Sequence, residues 1–154
     1  MYSLCPKTKM HNIFSIRIMK IGTLLILAVT ALNFSSAQST SSIRDGIFSD
    51  AQAARGAEAY SASCASCHSV DLRGNSNSPS LLGLSFMFIW EGKSLGELYT
   101  KMSTEMPTDR PGILTQQTYT DILAFILKSN EFASGDKDLT SDTSILNGIP
   151  ITSQ

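Results

Sequence analysis

The sequence predicts an all-α fold that forms one small domain. Three segments combine a helix-capping motif with small or apolar residues at the i, i+3, i+4 and i+7 spacing of a helix that packs on one face. No segment alternates apolar and polar residues over the length that a half-buried strand requires. A chain of 154 residues, 42% of them hydrophobic, has the size and composition of one globular domain.

The first 37 residues differ from the rest of the chain in charge. They contain no acidic residue, and a basic stretch ending at Lys20 precedes an apolar run, 21–34, and three small residues, 35–37. This order is typical of a secretory signal peptide that is cleaved after Ala37. An uncleaved membrane anchor is the alternative, although a span needs about 20 apolar residues. Met19 could serve as the start of the same signal.

The chain that follows the predicted signal peptide is acidic. It carries eight Lys and Arg residues and thirteen Asp and Glu residues, a net charge of −5. Binding to a phosphate backbone depends on Lys and Arg, so we expect no nucleic-acid partner. The signal peptide predicts a periplasmic location with no membrane span after cleavage.

The first helix is expected to follow a polar linker, residues 38–47, which is rich in Ser and Thr. Ser49 and Gln52 form an S-x-x-Q capping box, and the helix is predicted to run to about Ser63. One face of this helix carries Ala53, Gly56, Ala57 and Tyr60. Three of these residues are small, so we expect another helix to approach this face closely.

The second helix begins after Ser94, which forms a capping box with Glu97. Glu97 and Lys101 have the i, i+4 spacing of an ion pair on its exposed side. Its core-facing stripe consists of Leu95, Leu98, Tyr99 and Met102.

The third helix is predicted from Thr115 to about Asn130, with Leu114 and Tyr119 placed as a hydrophobic staple. It is apolar on several sides and must be largely buried. The same helical spacing is repeated by Tyr119, Ile122, Leu123 and Ile126.

The segments between and after these helices are less regular. Turn-forming residues predict loops at Asp71–Pro79 and Glu105–Gly112. The apolar run Leu81–Trp90 is ambiguous, although its Gly and Ser residues argue against a regular strand. Residues 136–154 are predicted to be a tail that folds back on the domain, because four apolar residues occur late in it: Ile145, Leu146, Ile149 and Ile151.

The most specific motif is Cys64-Ala65-Ser66-Cys67-His68. C-x-x-C-H is the attachment signature of c-type haem. Two thiols at this spacing can each add to one vinyl group of the porphyrin, and the adjacent imidazole then reaches the iron. The predicted secretion supports this interpretation, because c-type haem is attached outside the cytoplasm.

Three other interpretations of the motif are less consistent with the sequence. A thioredoxin-like redox pair needs a βαβ setting, and no strand precedes Cys64. A structural zinc site needs about four Cys or His ligands, and only three follow residue 37. A disulfide between Cys64 and Cys67 would close a very small loop and leave His68 unexplained. Covalent haem is therefore the favoured interpretation.

The second axial ligand of the iron must be something other than histidine, because His68 is the only histidine after residue 37. Methionine is the other common ligand, and the candidates are Met87, Met102 and Met106. Met102 completes the stripe of the second helix, and Met87 lies among aromatic residues, where a thioether usually fills gaps. Met106 precedes Pro107, which favours an extended backbone. Met106 is the favoured ligand, and the other two stay as alternatives.

The stretch from about Phe48 to Gly135 resembles a class I c-type cytochrome domain. The resemblance implies a small helical domain, residues 48–135, wrapped around one covalent haem c. It also implies that Gly56 and Tyr60 pack against the last helix and that the Pro79 carbonyl accepts a hydrogen bond from the His68 ring. The matching segments are Arg55-Gly56, Tyr60, Cys64–His68, Pro79–Gly83, Glu105–Pro107 and Tyr119–Asn130.

A looser similarity connects three segments, Phe86–Lys93, Met106–Leu114 and Asn130–Gly135, to cytochrome modules that accept electrons from periplasmic quinoprotein dehydrogenases. This similarity implies that Trp90 lies near a haem propionate. A tryptophan packed in the core explains the residue equally well.

These observations predict a periplasmic, monomeric, mono-haem electron carrier. It would take single electrons from a quinoprotein dehydrogenase and pass them to another cytochrome or a terminal oxidase. Since both axial positions are filled, no enzymatic activity is expected. The alternatives are a haem-based gas or redox sensor with a labile distal methionine, and a subunit of a larger oxidase whose haem relays electrons.

Overall fold

Six helices and their connecting loops make up residues 41–153, the part of the chain that this computed structural model describes. In chain order they are α1 (Asp50–Ser63), α2 (Ala65–His68), α3 (Gly83–Trp90), α4 (Leu95–Glu105), α5 (Gln116–Ser129) and α6 (Thr143–Leu146). Within the same residues, β-pairing is limited to three isolated bridges. The prediction of an all-α fold is confirmed. The predicted signal peptide, residues 1–37, lies outside the described residues.

Helices α1 and α5 make the most extensive helix–helix contact. A Cβ atom on Gly56 would lie 1.8 Å from the Asp121 carbonyl oxygen and 2.9 Å from Phe125 Cβ. One turn later, the rings of Tyr60 and Phe125 pack in a tilted arrangement with their centroids 5.3 Å apart and their planes at 52°. The close approach at Gly56 and the packing of Tyr60 on α5, the helix predicted from Thr115 to about Asn130, are therefore confirmed.

An ion-pair network also joins α1 to the second half of the chain. The Arg55 guanidinium binds both carboxylate oxygens of Asp121 at 3.1 Å and one oxygen of Asp138 at 2.7 Å. Asp121 is buried, and it also accepts a hydrogen bond from the Gln117 amide at 2.7 Å. A buried carboxylate needs such partners, because an unpaired charge in the interior is very costly.

The helix caps agree with the sequence except at one side chain. The Ser49 hydroxyl accepts a hydrogen bond from the backbone N–H of Gln52, and Ser94 and Glu97 form a complete capping box. The predicted return bond from the Gln52 side chain to Ser49 is wrong. The side-chain amide of Gln52 is fully buried and instead pairs with the backbone of Leu139. It donates a hydrogen bond to the Leu139 carbonyl at 3.0 Å and accepts one from the Leu139 N–H at 2.6 Å.

The ion pair predicted on α4 is also corrected. Lys101 pairs with Glu105, one turn further on, and not with Glu97. The Glu97 carboxylate is already occupied, because the amide and hydroxyl of Ser94 both bind it, at 2.7 and 3.0 Å. The backbone hydrogen bond to Ser94 is the main cause of the lowered pKa of Glu97.

The ambiguous apolar run forms helix α3. Its residues Phe86 and Trp90 are buried on one side, whereas Leu84 and Phe88 on the other side are 91% and 93% exposed. Trp90 lies in the core with the Lys93 ammonium 4.9 Å from its ring centroid.

The segment before α1 packs more tightly than its composition predicts. Ile43 is fully buried, and the Arg44 guanidinium donates to the Thr152 carbonyl at 3.2 Å. The expectation of an unpacked polar linker over residues 38–47 is therefore wrong at Ile43. The high Ser and Thr content concealed two isolated apolar residues, since Ile47 is partly buried and also packs against the core.

The end of the chain lies against the start of α4. Backbone hydrogen bonds of 2.8 Å join Leu95 to Ile149, and Gly92 and Lys93 to Ile151. Leu146, Ile149 and Ile151 are buried, but Ile145 is 52% exposed. Ile145 and Leu146 are neighbours on the short helix α6, where successive side chains point about 100° apart, and of the two only Leu146 faces the core.

Candidate functional site

The Cys64–His68 segment directly continues helix α1. Cys64 ends α1, since its N–H donates to the Tyr60 carbonyl at 2.8 Å, and it also begins α2. The N–H groups of Cys67 and His68 both donate back to the Cys64 carbonyl, at 3.1 and 2.9 Å. The two cysteines and the histidine therefore lie on one short turn, whose position is fixed by the packing of α1 on α5.

Both cysteines are free thiols in residues 41–153. Cys67 is exposed, and Cys64 is partly buried. The pKa of Cys64 is raised to about 11, mainly because the thiol is buried and secondly because Cys67 is close to it. Over the same residues, no group of three or more His, Cys, Asp or Glu side chains is arranged to hold a metal ion.

The orientation of the His68 ring is set by Pro79. Nδ1 of His68 lies 2.9 Å from the Pro79 carbonyl oxygen. A carbonyl only accepts hydrogen bonds, so Nδ1 carries the proton and Nε2 has a free lone pair. Histidines that bind metals are commonly oriented in this way by a hydrogen bond from their other nitrogen. The hydrogen bond implied by the resemblance is confirmed.

The loop that supplies this carbonyl is folded back onto α2. The Gly74 N–H donates to the His68 carbonyl at 2.9 Å, and the Asn75 side chain donates to the Cys67 carbonyl at 2.7 Å. Gly74 has a φ of +69°, and a Cβ atom there would lie 2.3 Å from the Ser78 carbonyl oxygen. Only glycine fits this turn. The turn-forming residues predict the loop, but they do not predict the hydrogen bond that Asn75 donates to Cys67.

Tyr60 links the same loop to α1. Its hydroxyl donates to the Ser69 carbonyl at 2.8 Å. Burial, followed by the neighbouring Cys64 and Asp71, raises the pKa of Tyr60 to about 12, so the hydroxyl keeps its proton at neutral pH. The residues around the C-x-x-C-H motif are thus held by three separate hydrogen bonds from side chains, those of Tyr60, His68 and Asn75.

Met106 lies at the end of α4 in an extended conformation, with φ −121° and ψ 150°. Its N–H donates to the Met102 carbonyl at 3.2 Å. Its own carbonyl accepts a hydrogen bond of 2.6 Å from the hydroxyl of the buried Tyr119. The extended backbone predicted from Pro107 is confirmed. The apolar stripe of the third predicted helix accounts for the packing of Tyr119 but does not predict this contact.

The three methionine candidates have different environments. Met102 is buried on the core-facing stripe of α4, and Met87 is partly buried and packs against the core. Met106 is half-buried and belongs to neither group. Within residues 41–153 no hydrogen bond joins Met106 to the Cys64–His68 segment.

These residues fit a covalently attached haem. Two free thiols are separated by two residues, an imidazole presents a free Nε2, and a thioether outside the core is held at its backbone. Thiols, imidazole and thioether are the groups that c-type cytochromes use for attachment and for iron ligation.

Comparison with known proteins gives one family. Residues 51–126 match the family model described as "Cytochrome C oxidase, cbb3-type, subunit III", and this range includes both Cys64–His68 and Met106. No match was found among curated proteins or among solved structures. In residues 41–153 no helix has the length and apolar character to cross a membrane.

Proposed function

Residues 51–126 are a class I c-type cytochrome domain, which binds haem c covalently, and from this premise we propose which residues hold the haem and what the chain does with it. Cys64 and Cys67 form the thioether bonds to a single haem. His68 and Met106 are the axial ligands of its iron. When bound, haem c supplies a reversible one-electron couple of its iron.

The attachment by Cys64 and Cys67 is supported by their place in the fold. The turn Cys64–His68 is short and directly continues α1, and two thiols at this spacing can each add to one vinyl group of a porphyrin. The proposed ligand role of His68 is supported by the 2.9 Å contact between Nδ1 and Pro79, which leaves Nε2 as the donor atom.

The ligand role of Met106 is supported by the contrast with the other two methionines. Met102 and Met87 have packing partners that account for them. Met106 has a fixed backbone and a side chain outside the core, as an iron ligand on a loop requires. The hydrogen bond from Tyr119 to the Met106 carbonyl is the single observation that carries this assignment, because it fixes the position from which the thioether extends.

The domain is an electron-transfer protein of the c type, and we propose that it works in the periplasm as a monomer. Its donor would be a quinoprotein dehydrogenase, and its acceptor another cytochrome or a terminal oxidase. Two filled axial positions leave no coordination site for a substrate, so the protein carries electrons and does not catalyse a reaction of its own. The net charge of −5 after residue 37 favours a basic docking surface on the partner.

A second candidate follows from the family description, which names a subunit of an oxidase. In that case the haem would relay electrons inside a larger complex. Co-purification distinguishes the two, because a diffusible carrier is isolated alone and a subunit is isolated with its oxidase.

The proposal is tested with Met106→Ala in the haem-loaded protein. We expect the ferric protein to lose its sulfur-to-iron charge-transfer band, the reduction potential to fall, and the ferrous protein to bind carbon monoxide. The matched controls Met102→Ala and Met87→Ala should reduce stability and leave the band in place. If the band survives Met106→Ala, another methionine is the ligand. If the wild-type ferrous protein already binds carbon monoxide readily, a sensor with a labile methionine is favoured instead.

A further inference from the structure

The sulfur of Met106 has a hydrogen-bond donor beside it. The hydroxyl of Thr108, two residues further along the loop, lies 3.5 Å from Met106 Sδ. A thioether sulfur is a weak acceptor, so this contact contributes little to the stability of the fold. Because the hydroxyl lies beside the sulfur of the proposed iron ligand, it affects how strongly that sulfur can donate electron density.

The loop keeps the hydroxyl and the sulfur close to each other. The Met106 carbonyl is fixed by the Tyr119 hydroxyl and also accepts the Gly112 N–H at 3.4 Å. Pro107 begins a turn that is closed by a hydrogen bond of 2.9 Å from the Arg110 N–H to the Pro107 carbonyl. Thr108 lies inside this turn, so contacts on both sides fix its backbone, and from this position its hydroxyl lies 3.5 Å from the sulfur.

A thioether sulfur has two lone pairs. One can bind iron, and the second can then accept the Thr108 hydrogen bond. A hydrogen bond withdraws electron density from the sulfur and makes it a poorer donor, which disfavours Fe(III) more than Fe(II). Hydrogen bonds to ligands are one of the means by which a protein sets the reduction potential of a haem.

We propose that Thr108 is a positioning residue for the Met106 sulfur, whose hydroxyl raises the reduction potential of the haem by donating a hydrogen bond to Sδ. This inference rests on the proposed role of Met106 as axial ligand. Thr108 is exposed, so water competes for the hydroxyl, and the effect on the potential is smaller than that of removing the ligand.

The test compares three variants of the haem-loaded protein. Thr108→Val removes the hydroxyl and keeps the branched shape of the side chain, and Thr108→Ser keeps the hydroxyl. Thr104→Val is the matched control, because it removes a hydroxyl that donates to the Thr100 carbonyl at 2.7 Å and not to the sulfur. The midpoint potential is measured by spectroelectrochemical titration, and the sulfur-to-iron charge-transfer band of the ferric protein is recorded alongside.

We expect Thr108→Val to shift the potential downward and to move the charge-transfer band, whereas Thr108→Ser and Thr104→Val should behave as the wild type. Restoration by Ser separates the hydroxyl from a general effect on the loop. A wild-type charge-transfer band together with an unchanged or raised potential in Thr108→Val overturns the role of Thr108 and leaves the ligand assignment intact. If the wild-type protein has no such band, both the ligand assignment and this inference fail.

Discussion

Replacing Gly56 with alanine should destabilise the protein, although the same change in an ordinary helix interior stabilises it by roughly 0.5–1 kcal/mol. The added Cβ atom would lie 1.8 Å from the Asp121 carbonyl oxygen, against an ordinary contact distance of at least 3.4 Å. The nearest obstacle is backbone, which cannot rotate away. The two helices must therefore move apart locally by roughly 1.5 Å.

The cost of this movement exceeds the gain in helix propensity. Overpacking a well-packed contact typically costs 1–3 kcal/mol, occasionally more. The upper end applies here, because the same contact contains the tilted Tyr60–Phe125 ring pair and the Arg55 ion pair to Asp121. We expect the free energy of unfolding to fall by about 2 kcal/mol or more.

Urea unfolding of the haem-loaded protein, followed by circular dichroism, measures this change. Gly148→Ala is the matched control, because its new Cβ atom would meet nothing closer than 3.4 Å and Gly148 is exposed. The control should stay within about 0.5 kcal/mol of the wild type. If Gly56→Ala is as stable as the wild type, α1 and α5 do not approach each other as closely as described.

Two further predictions concern the Met106 loop and the acid sensitivity of the fold. Tyr119→Phe removes the 2.6 Å hydrogen bond to the Met106 carbonyl, which should cost about 1 kcal/mol of stability and increase carbon monoxide binding by the ferrous protein; unchanged gas titrations would show that this bond does not hold the ligand. Hydrogen bonds from Ser49, and then from Arg55, lower the pKa of Asp138, so its carboxylate contributes stability above its unfolded pKa of about 3.9 and loses it as the pH falls through the lower folded value. The difference in unfolding free energy between wild type and Asp138→Asn should therefore be present at pH 7 and shrink below about pH 4, and a difference that is independent of pH would contradict the assignment.

The features that the sequence analysis predicted well depend on neighbouring residues. Capping by Ser94, the extended backbone at Met106 and the glycine-rich turn at Gly74 follow from chemistry within a few positions of the chain. The motif Cys64–His68 is local in the same sense, so its chemistry could be inferred before its position in the fold was known.

The features that were missed depend on partners far away in the sequence. Gln52 binds the backbone of Leu139 and not its own helix start, and Tyr119 donates to the Met106 carbonyl from the next helix along the chain. Ile43 is buried by residues that its own polar segment does not contain. A capping pattern or an apolar stripe indicates which side chains have bonding capacity, but it does not indicate which distant group will use it.

The long-range contacts of α1 also affect the order in which the Cys64–His68 turn, which follows α1, can fold during synthesis. Asp121 follows its partner Arg55 by 66 residues, and Leu139 follows Gln52 by 87. An isolated helix of 14 residues is marginal in water, so a nascent chain that has been made only as far as α4 cannot hold α1 in place. Until Asp121 and Leu139 have been synthesised, Cys64 and Cys67 therefore follow a helix whose packing partners do not yet exist.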